Sequence, residues 1–90
     1  MTRYLIESYV AGSVVEDHRD RARRTAELGT GVRYVRTTFL PGDETVLHLF
    51  EAPSAEALDR AGQLAHLEFD RIVEAVEDAA EPQEEEEKER

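Results

Sequence analysis

Three histidines, His18, His48 and His66, carry most of the reactive chemistry in this 90-residue chain. Neutral imidazole is a ligand for nickel, zinc and copper ions, and with a pKa near ~6.5 it can also pass protons at physiological pH. No two histidines stand four residues apart on one helix, so no single element contains a specific metal motif. A divalent metal would have to gather its ligands across the fold or across two copies of the chain. His66-Leu67-Glu68-Phe69-Asp70 offers an imidazole and two carboxylates at loose spacing. His18 lies between Val14 and Ala22 on a helical stripe. His48 sits inside the apolar run Val46-Leu47-His48-Leu49-Phe50, where a histidine needs a hydrogen-bond partner. The chain has no Cys, which excludes disulfides, thiolate nucleophiles and Cys-based zinc sites. No G-x-S-x-G elbow surrounds Ser8, Ser13 or Ser54. Gly29-Thr30-Gly31 is not followed by a helix and so is no phosphate loop.

A second constellation is read from strand alternation. Strict period-two spacing puts Tyr34, Arg36 and Thr38 on one face of a strand. The next strand carries Val46, His48 and Phe50 on one face. If the two faces coincide, they make a wall with one cation, one imidazole and two hydroxyls, suited to an anionic or phenolic small molecule. His48 would then act as acid or base. Glu7, between Ile6 and Ser8, either joins that wall or forms an ion pair with Arg33 or Arg36. The alternative to a metal-binding function is therefore an enzyme or ligand-binding module whose pocket uses Glu7, Tyr34, Arg36 and His48.

The elements that position these residues follow from pattern. Residues 3–10 are rich in β-branched and aromatic side chains and read as a strand. Ser13 three residues before Glu16 is a capping-box signature, which predicts a helix over 13–28 closed by Gly29. Residues 32–40 and 45–52 form a hairpin around the turn residues Pro41-Gly42-Asp43-Glu44. Ser54 caps a second helix with the stripe Ala57, Leu58, Ala61, Leu64 and Ala65. Residues 70–76 make a fourth strand. The order βαββαβ predicts an α+β fold, the ferredoxin-like sandwich: an antiparallel four-stranded sheet with two helices on one face. The strands are apolar on both faces, Tyr4 and Ile6 against Leu5 and Tyr9, and Val46 and Phe50 against Leu47 and Leu49. A sheet apolar on both faces is covered on both. The expected cover for the second face is another copy, giving a homodimer of the dimeric α+β barrel type.

The net charge is −10 and charged residues make up 36% of the chain. Residues 77–90 contribute −6, from eight acids and two bases, and residues 1–76 contribute −4, from thirteen acids and nine arginines. The expected organisation is a domain over 1–76 followed by an acidic, solvated tail over 77–90. An acidic chain is a poor partner for nucleic acid or anionic membranes. No run approaches the ~18–20 apolar residues of a membrane helix. Glu7 interrupts the N-terminal apolar run too early for a signal peptide, so the expected compartment is the cytoplasm.

Three segments carry a family resemblance. They are Val32-Arg33-Tyr34-Val35-Arg36-Thr37-Thr38-Phe39, then Leu49-Phe50-Glu51-Ala52-Pro53-Ser54-Ala55-Glu56-Ala57, and finally Phe69-Asp70-Arg71-Ile72-Val73-Glu74. With the opening Tyr4-Leu5-Ile6-Glu7, the chain over about 3–76 resembles the DUF4242 family of small bacterial proteins. The resemblance implies a ferredoxin-like fold, a homodimer and nickel binding, with His18, His48 and His66 as the imidazoles present here. The family pattern carries His at the position of Arg36, Cys at that of His48 and His at that of Ala61. Only His48 keeps a ligating side chain there, and Arg36 adds a fixed positive charge. His66-Leu67-Glu68 replaces the usual Gly-x-Pro before the last strand and adds an imidazole.

Overall fold

The computed structural model describes residues 1–76. The tail expected over 77–90 lies outside the described residues. The elements are β1 (Thr2–Tyr9), a 3-10 turn (Gly12–Val14), α1 (Val15–Leu28), β2 (Arg33–Leu40), β3 (Thr45–Ala52), α2 (Ala55–Leu64) and β4 (Arg71–Ala75). The four strands form one antiparallel sheet in the order β2-β3-β1-β4. This is the expected α+β, ferredoxin-like arrangement. Among the described residues, no helix is long and apolar enough to cross a membrane.

The start of α1 differs from the sequence expectation. The helix begins at Val15, after the 3-10 turn, and has no side-chain cap. Glu16 does not complete a capping box with Ser13; its carboxylate accepts from Arg19 Nη1 at 2.8 Å. With Asp17, it still places negative charge in the first turn, where the helix dipole favours it. Ser54 does cap α2, its Oγ accepting from the Ala57 amide at 3.1 Å.

The core lies between the sheet and the two helices. Ile6, Phe50 and Ile72 from the strands pack with Ala22 of α1 and Leu58 and Ala61 of α2. Rows of paired residues run across the sheet. On the helix side one row is Tyr34, Phe50, Tyr4 and Glu74, and the next is Thr37, His48, Ile6 and Ile72. On the helix-free side the rows are Arg33, Glu51, Arg3, Ala75, then Arg36, Leu49, Leu5, Val73, then Thr38, Leu47, Glu7, Arg71.

The shift between Tyr34 and Arg36 is a β-bulge. Two residues of β2 there share the space of one on β3, so alternation breaks. Tyr34 and Thr37 face the helices, while Arg36 and Thr38 turn to the other side.

Gly29 follows α1 but does not use the left-handed conformation that favours glycine at helix ends; its φ is −97° and ψ 142°. The reason for glycine is space. A Cβ there would stand 2.7 Å from both Ala61 Cβ and Val32 Cγ2, so the chain leaving α1 is pressed against α2 and the start of β2. Gly29→Ala is expected to cost about 1–3 kcal/mol through overpacking, lowering the thermal midpoint by roughly 4–8 °C per kcal/mol for a domain this size. Gly42→Ala, whose Cβ would meet nothing within 4 Å, should leave the midpoint almost unchanged in the same calorimetric scan.

Candidate functional site

His48 is the centre of the site. It lies mid-strand on the helix side of β3 and is 0% exposed. Its Nδ1 is 2.8 Å from Thr37 Oγ1 on the neighbouring strand, and Thr37 Oγ1 is 2.6 Å from Tyr34 Oη. The Tyr34 ring tilts against Phe50, with centroids 5.7 Å apart and planes at 59°. The bulge creates this chain by turning Thr37 inward opposite His48. A threonine hydroxyl has one proton, so the chain runs in one direction or the other. When His48 Nδ1–H donates to Thr37, Thr37 donates to Tyr34 and Nε2 keeps a free lone pair.

His18 approaches from α1. Its ring lies nearly parallel to that of His48, with an interplanar angle of 9° and centroids 6.1 Å apart. His18 Nδ1 and His48 Nε2 are both buried and have no hydrogen-bond partner among the described residues. Buried polar atoms are bonded in the large majority of cases, so two bare nitrogens on neighbouring rings are an exception that calls for an explanation. Burial, helped by the nearby His18 and Arg19, pushes the pKa of His48 down to about 4. Burial also lowers the pKa of His18, with Asp17 pulling the other way. Both rings are therefore neutral near pH 7, which is the form that coordinates metals.

His18 is also the floor of two small cavities. One, of about 220 Å³, is lined by Val14, Asp17, His18, Arg21, His66 and Glu68. The other, of about 210 Å³, shares His18 and Glu68 and reaches Ser8 and Asp70. The segment after α2 forms the rim. His66 has φ +59°, a left-handed conformation that favours glycine, and ends α2 as Leu67 N donates to Gly62 O at 2.9 Å. Arg21 ties this segment to α1, its Nη1 donating to His66 O at 2.8 Å while its Nε holds Asp17 at 2.9 Å. Ser8 Oγ donates to Glu68 O at 2.9 Å, and Asp70 accepts from the Tyr9 amide at 2.9 Å. The rim is thus anchored on both sides of His18.

The structure brings His18 and His48 together and places His66 on a cavity shared with His18. It corrects the expected small-molecule wall. Arg36 and Thr38 lie on the helix-free face because of the bulge, whereas Tyr34 and His48 face the helices. Glu7 also lies on the helix-free face, and it pairs with Arg71 rather than Arg33 or Arg36. Arg33 pairs with Glu51 instead. Glu7, Tyr34, Arg36 and His48 therefore do not line one pocket. The same separation keeps Arg36 off the helix-side imidazoles. Thr37 is the site residue that the sequence reading passed over; only the bulge gives it its role.

Among the described residues, no group of three or more His, Asp or Glu side chains is close enough to hold a metal ion. No family model matches the chain, and no curated protein matches it. A solved structure that does match is the crystal structure of SCO4226 from Streptomyces coelicolor A3(2), at a TM-score of 0.65 and 20% identity, covering 86% of this chain and 99% of that one. At that identity the likeness concerns the fold.

Two outcomes follow from the His48 environment. Thr37→Val keeps the shape but leaves His48 Nδ1 buried and unbonded, at an expected cost of about 1–3 kcal/mol in urea unfolding. The second concerns pH in the metal-free protein. His48 titrates near ~6.5 when unfolded and near 4 when folded, so its neutral form stabilises the fold. That stability is complete above pH ~6.5 and is lost as pH falls toward 4, by on the order of 3 kcal/mol. His48→Leu should flatten the unfolding free energy across that window, and an unchanged slope would show that the ring is not held neutral.

Proposed function

We propose that this chain binds a divalent transition-metal ion, with nickel the ion implied by its family resemblance, through the His18–His48 pair. The observation that supports this most directly is the pair of buried, unbonded nitrogens, His18 Nδ1 and His48 Nε2. Both are lone-pair donors of the kind a metal takes, and the stacked rings would have to turn for the two to converge on one ion. Imidazole suits Ni²⁺, Zn²⁺ and Cu²⁺, and the His48 tautomer that donates from Nδ1 to Thr37 leaves Nε2 free for the metal. Glu68, Asp17 and His66 border the cavities above His18. The remaining coordination positions would go to water or to one of these groups after a side-chain rotation. Neutral rings bind without first expelling a proton.

The functional unit in this reading is a homodimer. Its support is the strip Leu5, Leu47, Leu49 and Val73 on the face that no helix covers. Leu49 is only 4% exposed, but Leu5, Leu47 and Val73 remain partly open. Burying such a strip against its copy is the ordinary way to close a two-sided apolar sheet.

Calorimetric titration of the whole chain with Ni²⁺ at neutral pH tests the metal reading. The wild type should show one site per chain above the loose background of surface carboxylates. His18→Ala should weaken that site at least tenfold and leave the background unchanged, because His18 is only half-buried and its loss spares the core. Affinity should fall less steeply with acid than at a site of ordinary histidines, since burial lowers the pKa of both rings. Nickel uptake that is identical in wild type and His18→Ala would remove the proposal.

A further inference from the structure

Tyr34 and Thr37 stand three residues apart in β2, a spacing that puts side chains on opposite faces of a regular strand. The shift between Tyr34 and Arg36 brings both to the helix side, where their hydroxyls meet at 2.6 Å. Thr37 is also the cross-strand partner of His48, and its Oγ1 lies 2.8 Å from His48 Nδ1. Three polar groups thus run from a half-buried phenol to a fully buried imidazole. Each hydroxyl has one proton to give, so the three cannot be oriented independently. Whether Tyr34 accepts or donates decides where Thr37 sends its proton. That in turn decides which nitrogen of His48 carries the ring hydrogen.

Two orientations are available. In the outward one, His48 Nδ1–H donates to Thr37, Thr37 donates to Tyr34, and the Tyr34 hydrogen is left to the half-buried end. His48 Nε2 then keeps a bare lone pair. In the inward one, Tyr34 donates to Thr37 and Thr37 donates to Nδ1, which puts the ring hydrogen on Nε2. His48 Nε2 has no hydrogen-bond partner among the described residues, so the inward orientation strands a buried N–H. Among buried backbone groups an orphaned N–H is rarer than an under-used acceptor, and a ring N–H shut away from water meets the same cost. The outward orientation is favoured as long as Tyr34 offers an oxygen to accept.

We infer that Tyr34 is a positioning residue for His48: acting through Thr37, its oxygen holds the buried ring in the Nδ1–H tautomer and keeps Nε2 bare. The consequence for metal rests on the metal reading, since only a bare Nε2 can be a ligand; the tautomer itself does not depend on metal. The Tyr34 ring has a separate task, packing against Phe50. Tyr34→Phe separates the two, because it keeps the ring and removes only the oxygen. His48 Nδ1 is then the remaining acceptor for Thr37 in this relay, and the inward tautomer takes over. A ring with its hydrogen on Nε2 is closed to metal, so apparent affinity falls with the fraction left in the open form.

Nitrogen-15 spectra of the metal-free, histidine-labelled full chain at neutral pH read the tautomer, because protonated and bare ring nitrogens resonate far apart. Wild type should carry the His48 hydrogen on Nδ1. Tyr34→Phe should move at least half of it to Nε2, whereas Thr37→Ser, which keeps the hydroxyl, should retain the wild-type pattern. In a Ni²⁺ titration Tyr34→Phe should raise the apparent Kd by the factor the spectra set, about twofold if half the rings switch and about tenfold if nine-tenths do. A wild-type ring already protonated on Nε2, or a Tyr34→Phe spectrum identical to wild type, would overturn the inference. A switched tautomer in Tyr34→Phe, with no nickel uptake by the wild type, would uphold the role of Tyr34 and remove the metal reading instead.

Discussion

A fully buried histidine at the middle of the central strands is the constraint around which the helix side of this protein is arranged. An imidazole shut away from water must be neutral and must place its polar atoms. His48 meets half of that demand through Thr37, and Thr37 meets its own through Tyr34. The bulge in β2 makes this possible, because regular alternation would send Thr37 outward. The other half of the demand is left open, and α1 brings a second imidazole, with its own bare nitrogen, to stack on the first. Two such atoms left unbonded on stacked rings are what the proposed metal reading starts from.

The rest of the site keeps that pair positioned. Gly29 lets α1 approach α2 at the end of the helix remote from His18. Arg21 ties α1 to the segment after α2, and Ser8 and the Tyr9 amide tie the same segment to β1. His66 accepts a left-handed backbone conformation at the turn that brings its segment over His18. On the opposite side of the sheet the logic is different. There the leucines and Val73 are framed by arginines and glutamates in fixed rows. The two faces thus differ in kind, with the imidazoles under the helices and an apolar strip between charged rows on the other side.

The fold was largely legible in the sequence. Alternating and helical periodicities located four strands and two helices within a few residues, and Ser54 announced the cap of α2. Ser13 misled because Glu16 found Arg19 within reach on its own helix, and the chain entered α1 through a 3-10 turn. Part of the site was legible too: His18 on a helical stripe and His48 amid apolar neighbours both pointed inward. Their pairing was not, since it depends on how α1 lies across β3. The small-molecule wall failed for a single reason. One extra residue in a strand reverses the facing of everything beyond it, and Val35 in Arg33-Tyr34-Val35-Arg36 has no composition that marks a bulge. The ion pair expected as one alternative for Glu7 named Arg33 or Arg36, and cross-strand register gave it Arg71 instead.

The most direct test of the account is the response of the three imidazoles to paramagnetic Ni²⁺, followed by nuclear magnetic resonance on the intact, histidine-labelled protein at neutral pH. The account expects the ring signals of His18 and His48 to broaden together within the first equivalent of metal, with the Nδ1 proton of His48 retained toward Thr37. If those two rings stay sharp while only His66 and surface carboxylates respond, the buried pair is a packing feature and the metal reading is wrong.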